Sequence, residues 1–177
     1  MQKSKIDKYL ASVTFTPAVV GYLRNGGQVL LGARKKVSHG LGENLIAGVG
    51  GKVGDSPEIK NETTEEAMDR EAREEIKVKV LEKQDMGRVR FIFAHKPPDS
   101  KWHQDVKIYS ITKWEGTPAE TDSVKPSWFD IDKMPWEQMW EDNKQWLPKI
   151  LSGKRVNALF LFSNDNKMAE YRFDEVD

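Results

Sequence analysis

Apolar and polar positions alternate along much of this chain, or apolar residues run together for short stretches, and both patterns predict β-strands. A hairpin turn is expected at residues 24–27, Arg-Asn-Gly-Gly, and it joins the first two strands. The predicted strands cover residues 13–23, 28–33, 46–53, 78–81, 88–95, 106–114 and 128–131, with a final hairpin of residues 155–162 and 167–173.

Two segments show helical spacing instead. The first begins at Thr63 or Thr64 and runs to about Lys77, with an apolar face of Ala67, Met68, Ala72 and Ile76. The second covers residues 143–152 and ends at Gly153, and residues 37–45 are expected to form a loop over a site. Strands and helices in this order predict an α/β fold: an α/β/α sandwich with a mixed β-sheet, formed by one domain over residues 1–177.

A cluster of carboxylates stands out on the first helix. Glu74 and Glu75 lie three and four residues after Glu71, so the three carboxylates project from one face, where like charges repel unless a cation lies among them. Arg70 lies four residues before Glu74 and is expected to hold its carboxylate by charge-assisted hydrogen bonds. Gly50 lies in a glycine-rich strand just before this helix, where the backbone can come close to a ligand. Hard oxygen donors of this kind favour Mg²⁺, with Mn²⁺ as an alternative.

Composition narrows the class of function. The chain has 28 basic residues (lysine plus arginine) and 28 acidic residues (aspartate plus glutamate), so its formal net charge is zero. It therefore lacks the excess of positive charge that is typical of proteins that bind a nucleic-acid polymer. There is no cysteine, which excludes disulfides and thiolate metal sites. No apolar run has the length of a signal peptide or a membrane span, so we expect a cytoplasmic protein that does not engage a membrane.

Residues 50–78 resemble the Nudix box, in which glycine, five residues, glutamate, seven residues and Arg-Glu-x-x-Glu-Glu-x-Gly follow one another. Two positions depart from that pattern. Ten residues separate Gly51 from Glu62, so residues 54–61 are expected to be an insertion in a turn. Lys77 replaces the glycine suited to a left-handed helix end, so a differently shaped end is expected. The alternative to a Nudix box is an ordinary solvated helix.

The resemblance continues beyond the box. Residues 116–122, 126–129, 139–142 and 146–148 are similar to the branch of the Nudix family that hydrolyses oxidised purine nucleoside triphosphates such as 8-oxo-dGTP. It implies that Trp140 and Phe91 are walls between which a purine stacks, with Trp146 closing the pocket.

The same resemblance implies that Asp142 reads the edge of the base. The branch places a second aspartate beside it, where this chain has Asn143. It also has an asparagine where this chain has Ala47, and Asn44 is a nearby substitute. Two of three edge-reading groups therefore differ, so the reaction is better defined than the preferred base.

The resemblance further implies that Glu71, Glu74, Glu75 and the Gly50 carbonyl bind the metal, with Glu75 as the main base or water-orienting group. Lys52 and Arg34 are candidates to touch phosphates or base, Arg34 standing where the branch has a lysine. Ser123 replaces a distal metal-binding glutamate of the branch. Glu120 and Asp122 are alternatives in the same loop.

The expected activity is Mg²⁺-dependent hydrolysis of oxidised purine nucleoside triphosphates to a monophosphate and pyrophosphate by a monomeric enzyme that acts on a small-molecule nucleotide. Ala47 and Asn143 leave open another Nudix substrate, such as ADP-ribose, a dinucleoside polyphosphate or an ordinary dNTP. Ser123 and Lys77 leave open a nucleotide-binding module without turnover, although such a module has no need of three repelling carboxylates.

Overall fold

The computed structural model describes residues 4–35, 45–164 and 167–176. Its strands form one mixed sheet, and they are β1 Thr16–Asn25, β2 Gln28–Arg34, β3 Ile46–Ala47, β4 Val49–Lys52, β5 Lys79–Phe93, β6 Gln104–Glu115, β7 Val124–Asp130, β8 Val156–Phe162 and β9 Met168–Phe173. The order across the sheet is β3-β2-β1-β6-β5-β8-β9, with β4 paired to β1 and β7 paired to β2. Strand pairs β1–β6 and β5–β8 are parallel and the others are antiparallel.

Helices cover both faces of this sheet, which confirms the predicted α/β/α sandwich. They are α1 Lys5–Leu10, α2 Thr64–Ile76 and α3 Asn143–Leu151, and short 3₁₀ turns occur at Pro57–Ile59, Ile131–Lys133 and Trp136–Gln138. Helix α2 packs its buried alanines and methionine against the face of β1 and β6 that carries Val19 and Ile111. Helix α3 packs on the opposite face, where Leu147 and Ile150 join Tyr22 and Phe160 in the larger core cluster.

The N-terminal helix α1 was not predicted. It has six residues and buries one side chain, Ile6, fully, against Ile92 and Leu161. A helix this short does not span two turns, so it shows no periodicity that a sequence pattern could detect. Ser4 caps it by accepting a hydrogen bond from the Asp7 backbone N–H at 3.2 Å.

Several strand predictions need correction. The strand predicted over residues 13–23 is β1, Thr16–Asn25, and the one predicted over residues 128–131 is β7, Val124–Asp130. The predicted strand over residues 46–53 is two strands, β3 and β4, separated at Gly48. The predicted strands over 78–81 and 88–95 are parts of one strand, β5, whose pairing with β6 shifts register between Asp85 and Arg88. Gly87 lies in this irregular segment with φ 98°, so the sequence break marks a bulge and not a loop.

The end of α2 also differs from expectation. Lys77 keeps the left-handed conformation, with φ 61° and ψ 33°, and its N–H donates to the carbonyls of Ala72 and Arg73. It is the sole non-glycine residue with positive φ in the described part of the chain. The helix therefore has the left-handed end that is typical of glycine. Because lysine has a Cβ atom, this conformation is strained at Lys77.

The loop predicted over residues 37–45 lies outside the described residues except for Leu45, and so does Asn44. None of the helices in the described ranges has the length and apolar character needed to span a membrane.

Candidate active site

Two adjacent glycines let helix α2 approach the sheet. Strand β4 places Gly50 opposite Val20 and Gly51 opposite Val19 on β1. A Cβ atom on Gly50 would lie 1.9 Å from the Val19 carbonyl oxygen, and one on Gly51 would lie 2.4 Å from Oε1 of Glu71. Any side chain at either position would displace backbone or a carboxylate, so the glycines keep this space open for the acidic groups of α2.

Helix α2 begins where the sequence predicted. Thr63 caps it, accepting from the Glu66 N–H at 3.1 Å, while the Glu66 carboxylate accepts from the Thr63 N–H at 3.2 Å. This reciprocal pair is a capping box, which fixes the start of the helix and therefore the direction of the carboxylates one to three turns later.

Arg70 is the cation at the centre of the acidic cluster. Its guanidinium donates to Glu62 at 2.6 and 3.0 Å, to Glu71 at 3.0 Å and to Glu74 at 3.0 Å. Another N–H donates to the Lys52 carbonyl at 3.1 Å, which ties the helix to β4. The sequence predicted the Glu74 contact but missed the other carboxylates, so Arg70 positions the cluster as a whole.

Glu62 is the main partner of Arg70. Its side chain is 5% exposed, and it also accepts from the Gly54 N–H at 2.9 Å. The hydrogen bond from Arg70 lowers the pKa of the Glu62 carboxyl below its ordinary value. The insertion over residues 54–61 therefore begins at a contact that anchors the cluster.

Glu75 has a different environment from Glu71 and Glu74. It is 5% exposed, whereas the Glu74 side chain is 59% exposed. Its carboxylate accepts from Arg34 Nη1 at 2.9 Å and from the Gly50 N–H at 3.2 Å. Burial raises the pKa of Glu75, the charge of Arg34 lowers it, and the neighbouring carboxylate of Glu71 raises it. A buried carboxyl whose pKa is raised to about 7 is suited to exchange a proton near neutral pH.

Arg34 lies in this acidic site and not in the cavity described below. Its second N–H group donates to the Gly50 carbonyl at 3.1 Å, so one guanidinium bridges Glu75 and Gly50. Lys52 also lies outside that cavity, and its backbone carbonyl accepts the hydrogen bond from Arg70. Of the seven predicted substrate-binding residues, these two therefore lie on the acidic side.

The donor chemistry of the acidic site suits a divalent metal. Three carboxylates and a backbone carbonyl are hard oxygen donors, and the glycines leave room for them against the strand. In the described part of the chain, no three acidic or histidine side chains converge closely enough to form a coordination shell. Arg70 and Arg34 hold the carboxylates in two groups, and these contacts satisfy their charges.

The loop that carries Ser123 reaches the end of α2 through a threonine. The Thr121 hydroxyl donates to the Glu75 carbonyl at 2.8 Å. Glu120 is exposed and forms an ion pair with Lys35 at 2.8 Å, and Asp122 is exposed in the same groove. Neither acid has a contact with the α2 glutamates among the described residues, so the structure does not bring the expected distal carboxylate into the site.

An apolar cavity of about 170 Å³ lies beside the acidic site on the α3 face of the sheet. Its walls include the five other predicted substrate-binding residues, together with Ala47, and these five are Phe91, Trp140, Asp142, Asn143 and Trp146. An apolar cavity of about 150 Å³ accommodates benzene, so this one has the scale of a planar ring system.

The aromatic walls are held by other aromatic rings. Trp140 meets Phe162 edge-on, with ring centroids 5.5 Å apart, and Phe91 stacks on Phe160 at 6.0 Å. Trp146 is buried against Tyr22 at 6.2 Å, also edge-on. Rigid packing behind the walls keeps Trp140 and Phe91 available to contact a flat ligand.

A buried carboxyl lies at the inner end of the cavity. Asp142 is 2% exposed, and its Oδ2 accepts from the Trp146 indole N–H at 2.7 Å. Burial raises the pKa of Asp142 from 3.8 to about 6, and the indole hydrogen bond partly opposes that effect. Asn143 is also buried, and its Nδ2 donates to the Trp140 carbonyl at 3.1 Å.

The cavity residues that the sequence interpretation missed include Tyr22, Trp102 and Gln104. Tyr22 had a detectable signal, because it is two residues from Val20 on an alternating strand and so shares its face. Gln104 is likewise two residues before the buried Val106. Trp102 precedes β6 in a turn, where no periodicity applies.

The fold and the site together define the class: an α/β sandwich whose glycine strand and acidic helix form one site next to an aromatic cavity. The NUDIX domain family matches residues 14–150. The chain belongs to the Nudix family.

Curated relatives and solved structures agree with this assignment. An oxidized purine nucleoside triphosphate hydrolase of Danio rerio is 38% identical over 85% of this chain and 89% of its own length. The protein of that name from Mus musculus is 33% identical over 85% and 88%. A MutT protein structure from Bacillus halodurans shares the fold, with a TM-score of 0.69 over 90% of this chain and 98% of its own, at 22% identity.

Proposed function

We propose that this protein is a pyrophosphohydrolase that converts oxidised purine nucleoside triphosphates, such as 8-oxo-dGTP, and water to the nucleoside monophosphate and pyrophosphate. Support comes from the two relatives named as oxidized purine nucleoside triphosphate hydrolases and from the site itself. The substrate is a small-molecule nucleotide, and its hydrolysis removes damaged precursors from the nucleotide pool.

The observation that carries this proposal is the adjacency of the acidic site and the aromatic cavity. Ala47 and Gly48 line the cavity, and Gly50 is hydrogen-bonded to Glu75 in the acidic site. Three residues of extended chain span at most about 10 Å. One ligand with a flat base and a phosphate chain can therefore occupy both places at once.

The acidic site divides into residues that act and residues that position them. Glu71, Glu74, Glu75 and the Gly50 carbonyl would hold Mg²⁺ or Mn²⁺, which when bound neutralises phosphate charge and lowers the pKa of water. Glu75, buried and with a raised pKa, orients the attacking water and accepts its proton. The water oxygen bonds to one of the two phosphorus atoms joined by the α–β bridging oxygen, the bond from that phosphorus to the bridging oxygen breaks, and the products are the monophosphate and pyrophosphate.

Positive charge around the phosphates comes from residues that already lie there. Arg70 fixes the directions of Glu71 and Glu74, while Arg34 and Lys52 lie on the acidic side of the site. In the cavity, Trp140 and Phe91 hold the purine by stacking, which contributes about 1–3 kcal/mol per base.

We also propose that residues 1–177 form one domain that acts as a monomer. Strands from both ends of the chain, β1 and β9, belong to the same sheet, and α1 packs on Leu159 and Leu161 of β8. A single cooperative unfolding transition and a molar mass near 20.3 kDa by light scattering would agree with this.

Two substitutions separate chemistry from base binding. E75Q is expected to lower pyrophosphate release by at least about 100-fold, because it removes the proton acceptor. Its affinity for 8-oxo-dGMP without metal should stay within about twofold of the unaltered protein, since Glu75 lies outside the cavity. W140A should reduce the affinity for 8-oxo-dGMP without metal about tenfold or more, because it removes one stacking wall of the cavity.

The matched control is E65Q, which removes an exposed carboxylate from the first turn of the same helix and should leave both quantities unchanged. Pyrophosphate release by E75Q at the unaltered rate would contradict the proposed role of the acidic site.

A further inference from the structure

The cavity contains a polar side chain, Gln104, that has no role in the mechanism proposed above. Asp142 is engaged by Trp146, and the Nδ2 group of Asn143 is engaged by the Trp140 carbonyl. Gln104 also lines the cavity, and among the described residues its side-chain amide has no hydrogen-bond partner. It is therefore free to pair with a ligand.

The strand register directs Gln104 toward the cavity. Gln104 and Val106 are two residues apart on β6 and both line it, whereas Asp105 between them forms an ion pair with Arg88 at 3.4 Å. Gln104 lies directly opposite Phe91 on β5, so its side chain stands beside one of the aromatic walls. Gln104 is half-buried whereas Asp142 is buried, so of these two cavity residues Gln104 is the more accessible to solvent.

This placement matches one edge of a purine bound with its phosphates toward the acidic site. The sugar is attached at N9, and C8 is bonded to N9, so the C8–N7 edge lies closer to the mouth than the Watson–Crick edge. Asp142 at the inner end would then face the Watson–Crick edge, and Gln104 would face N7 and C8. That is the edge that oxidation at C8 alters.

A primary amide distinguishes the two forms of this edge. In 8-oxoguanine, N7 carries a hydrogen and C8 a carbonyl, so the Gln104 oxygen can accept from N7–H while its NH₂ group donates to the C8 oxygen. In guanine, N7 is an acceptor and the pair of complementary contacts is lost. Guanine therefore gains fewer hydrogen bonds from Gln104 than 8-oxoguanine does.

Ala47, which lines the same cavity, has no polar side chain to make such contacts. We propose that Gln104 is a specificity-determining residue whose amide reads the N7–C8 edge of the base and selects oxidised over ordinary purines. This inference rests on the proposed function, since it presumes a purine in the cavity.

The test compares Q104L with the unaltered protein on 8-oxo-dGTP and dGTP. The substitution keeps the side chain's bulk beside Phe91 and removes its hydrogen-bonding groups. We expect kcat/KM for 8-oxo-dGTP to fall about tenfold, mainly through KM, and kcat/KM for dGTP to change less than about twofold. Metal-free affinity for 8-oxo-dGMP, measured by tryptophan fluorescence, should fall by the same factor.

The control is Q84L, which makes the same change at an exposed glutamine of β5 outside the cavity. Equal losses on both substrates, or no loss on either, would overturn the role of Gln104. An unaltered protein with no preference for 8-oxo-dGTP would instead overturn the proposed function, so the two failures are distinguishable.

Discussion

Replacing the carboxyl of Asp142 with an amide is expected to stabilise the protein at neutral pH and to stabilise it much less in acid. Asp142 is 2% exposed, and burial raises its pKa from 3.8 to about 6. The variant D142N keeps an oxygen that can accept from the Trp146 indole, which Asp142 now does at 2.7 Å, but it cannot ionise.

The sign follows from the direction of the pKa change. A carboxyl with a raised pKa in the folded state binds its proton more tightly there, so its contribution to stability is complete below pH 3.8. That contribution declines as the pH rises toward 6 and is lost above it. The difference between 3.8 and about 6 corresponds to about 3 kcal/mol at neutral pH and about 1 kcal/mol at pH 4.5.

The assay is urea unfolding of the unaltered protein and D142N at pH 4.5 and pH 7.5. The stability advantage of D142N should be larger at pH 7.5 by about 2 kcal/mol. D132N, which changes an exposed aspartate, controls for the loss of one formal charge. An advantage of equal size at both pH values would refute a buried carboxyl with a raised pKa.

Three further substitutions test the acidic side of the site. K77G should raise the free energy of unfolding by about 0.5–1 kcal/mol in urea, because glycine adopts φ 61° without strain, whereas K77A should give no such gain. E62Q should cost about 2 kcal/mol in the same assay and lower kcat, because it weakens the contact at 2.6 Å that positions Arg70; an unchanged stability would contradict that role. R34M should tighten Mn²⁺ binding to the metal-free protein about tenfold, as measured by electron paramagnetic resonance. The reason is that the Arg34 guanidinium is hydrogen-bonded to the Glu75 carboxylate and competes with the metal for it; weaker binding by R34M would contradict this.

Local signals in the sequence were sufficient for much of the fold and for the acidic helix. Thr63 as a cap, the hairpin turn expected within residues 24–27 and the spacing of Glu71, Glu74 and Glu75 depend on residues close together in the chain. The structure has the helix from Thr64, and it has the turn at Gly26 and Gly27, with Asn25 paired to Gln28. The resemblance located the cavity residues as a group, and the structure brings five of them together.

Contacts between distant residues could not be predicted in the same way. Arg34 reaches Glu75 across 41 positions, and the pairing of β2 and of β4 with β1, together with the packing of α2, brings them together. In the sequence, Gln104 is an ordinary polar residue. Its register opposite Phe91 in the folded sheet places it on the cavity face. The prediction of a differently shaped helix end at Lys77 was wrong. The connection to β5 imposes the left-handed geometry there, and that geometry overrides the preference of a lysine for other backbone conformations.

The most direct measurement is pyrophosphate release with Mg²⁺ across a panel of 8-oxo-dGTP, 2-oxo-dATP, dGTP, GTP, dATP and ADP-ribose. Our account predicts a kcat/KM for the oxidised purine triphosphates at least about tenfold above the ordinary ones. It also predicts no pyrophosphate from ADP-ribose, which has no triphosphate to release it. Equal rates on all the triphosphates would contradict base recognition in the cavity and with it the assignment to oxidised purines.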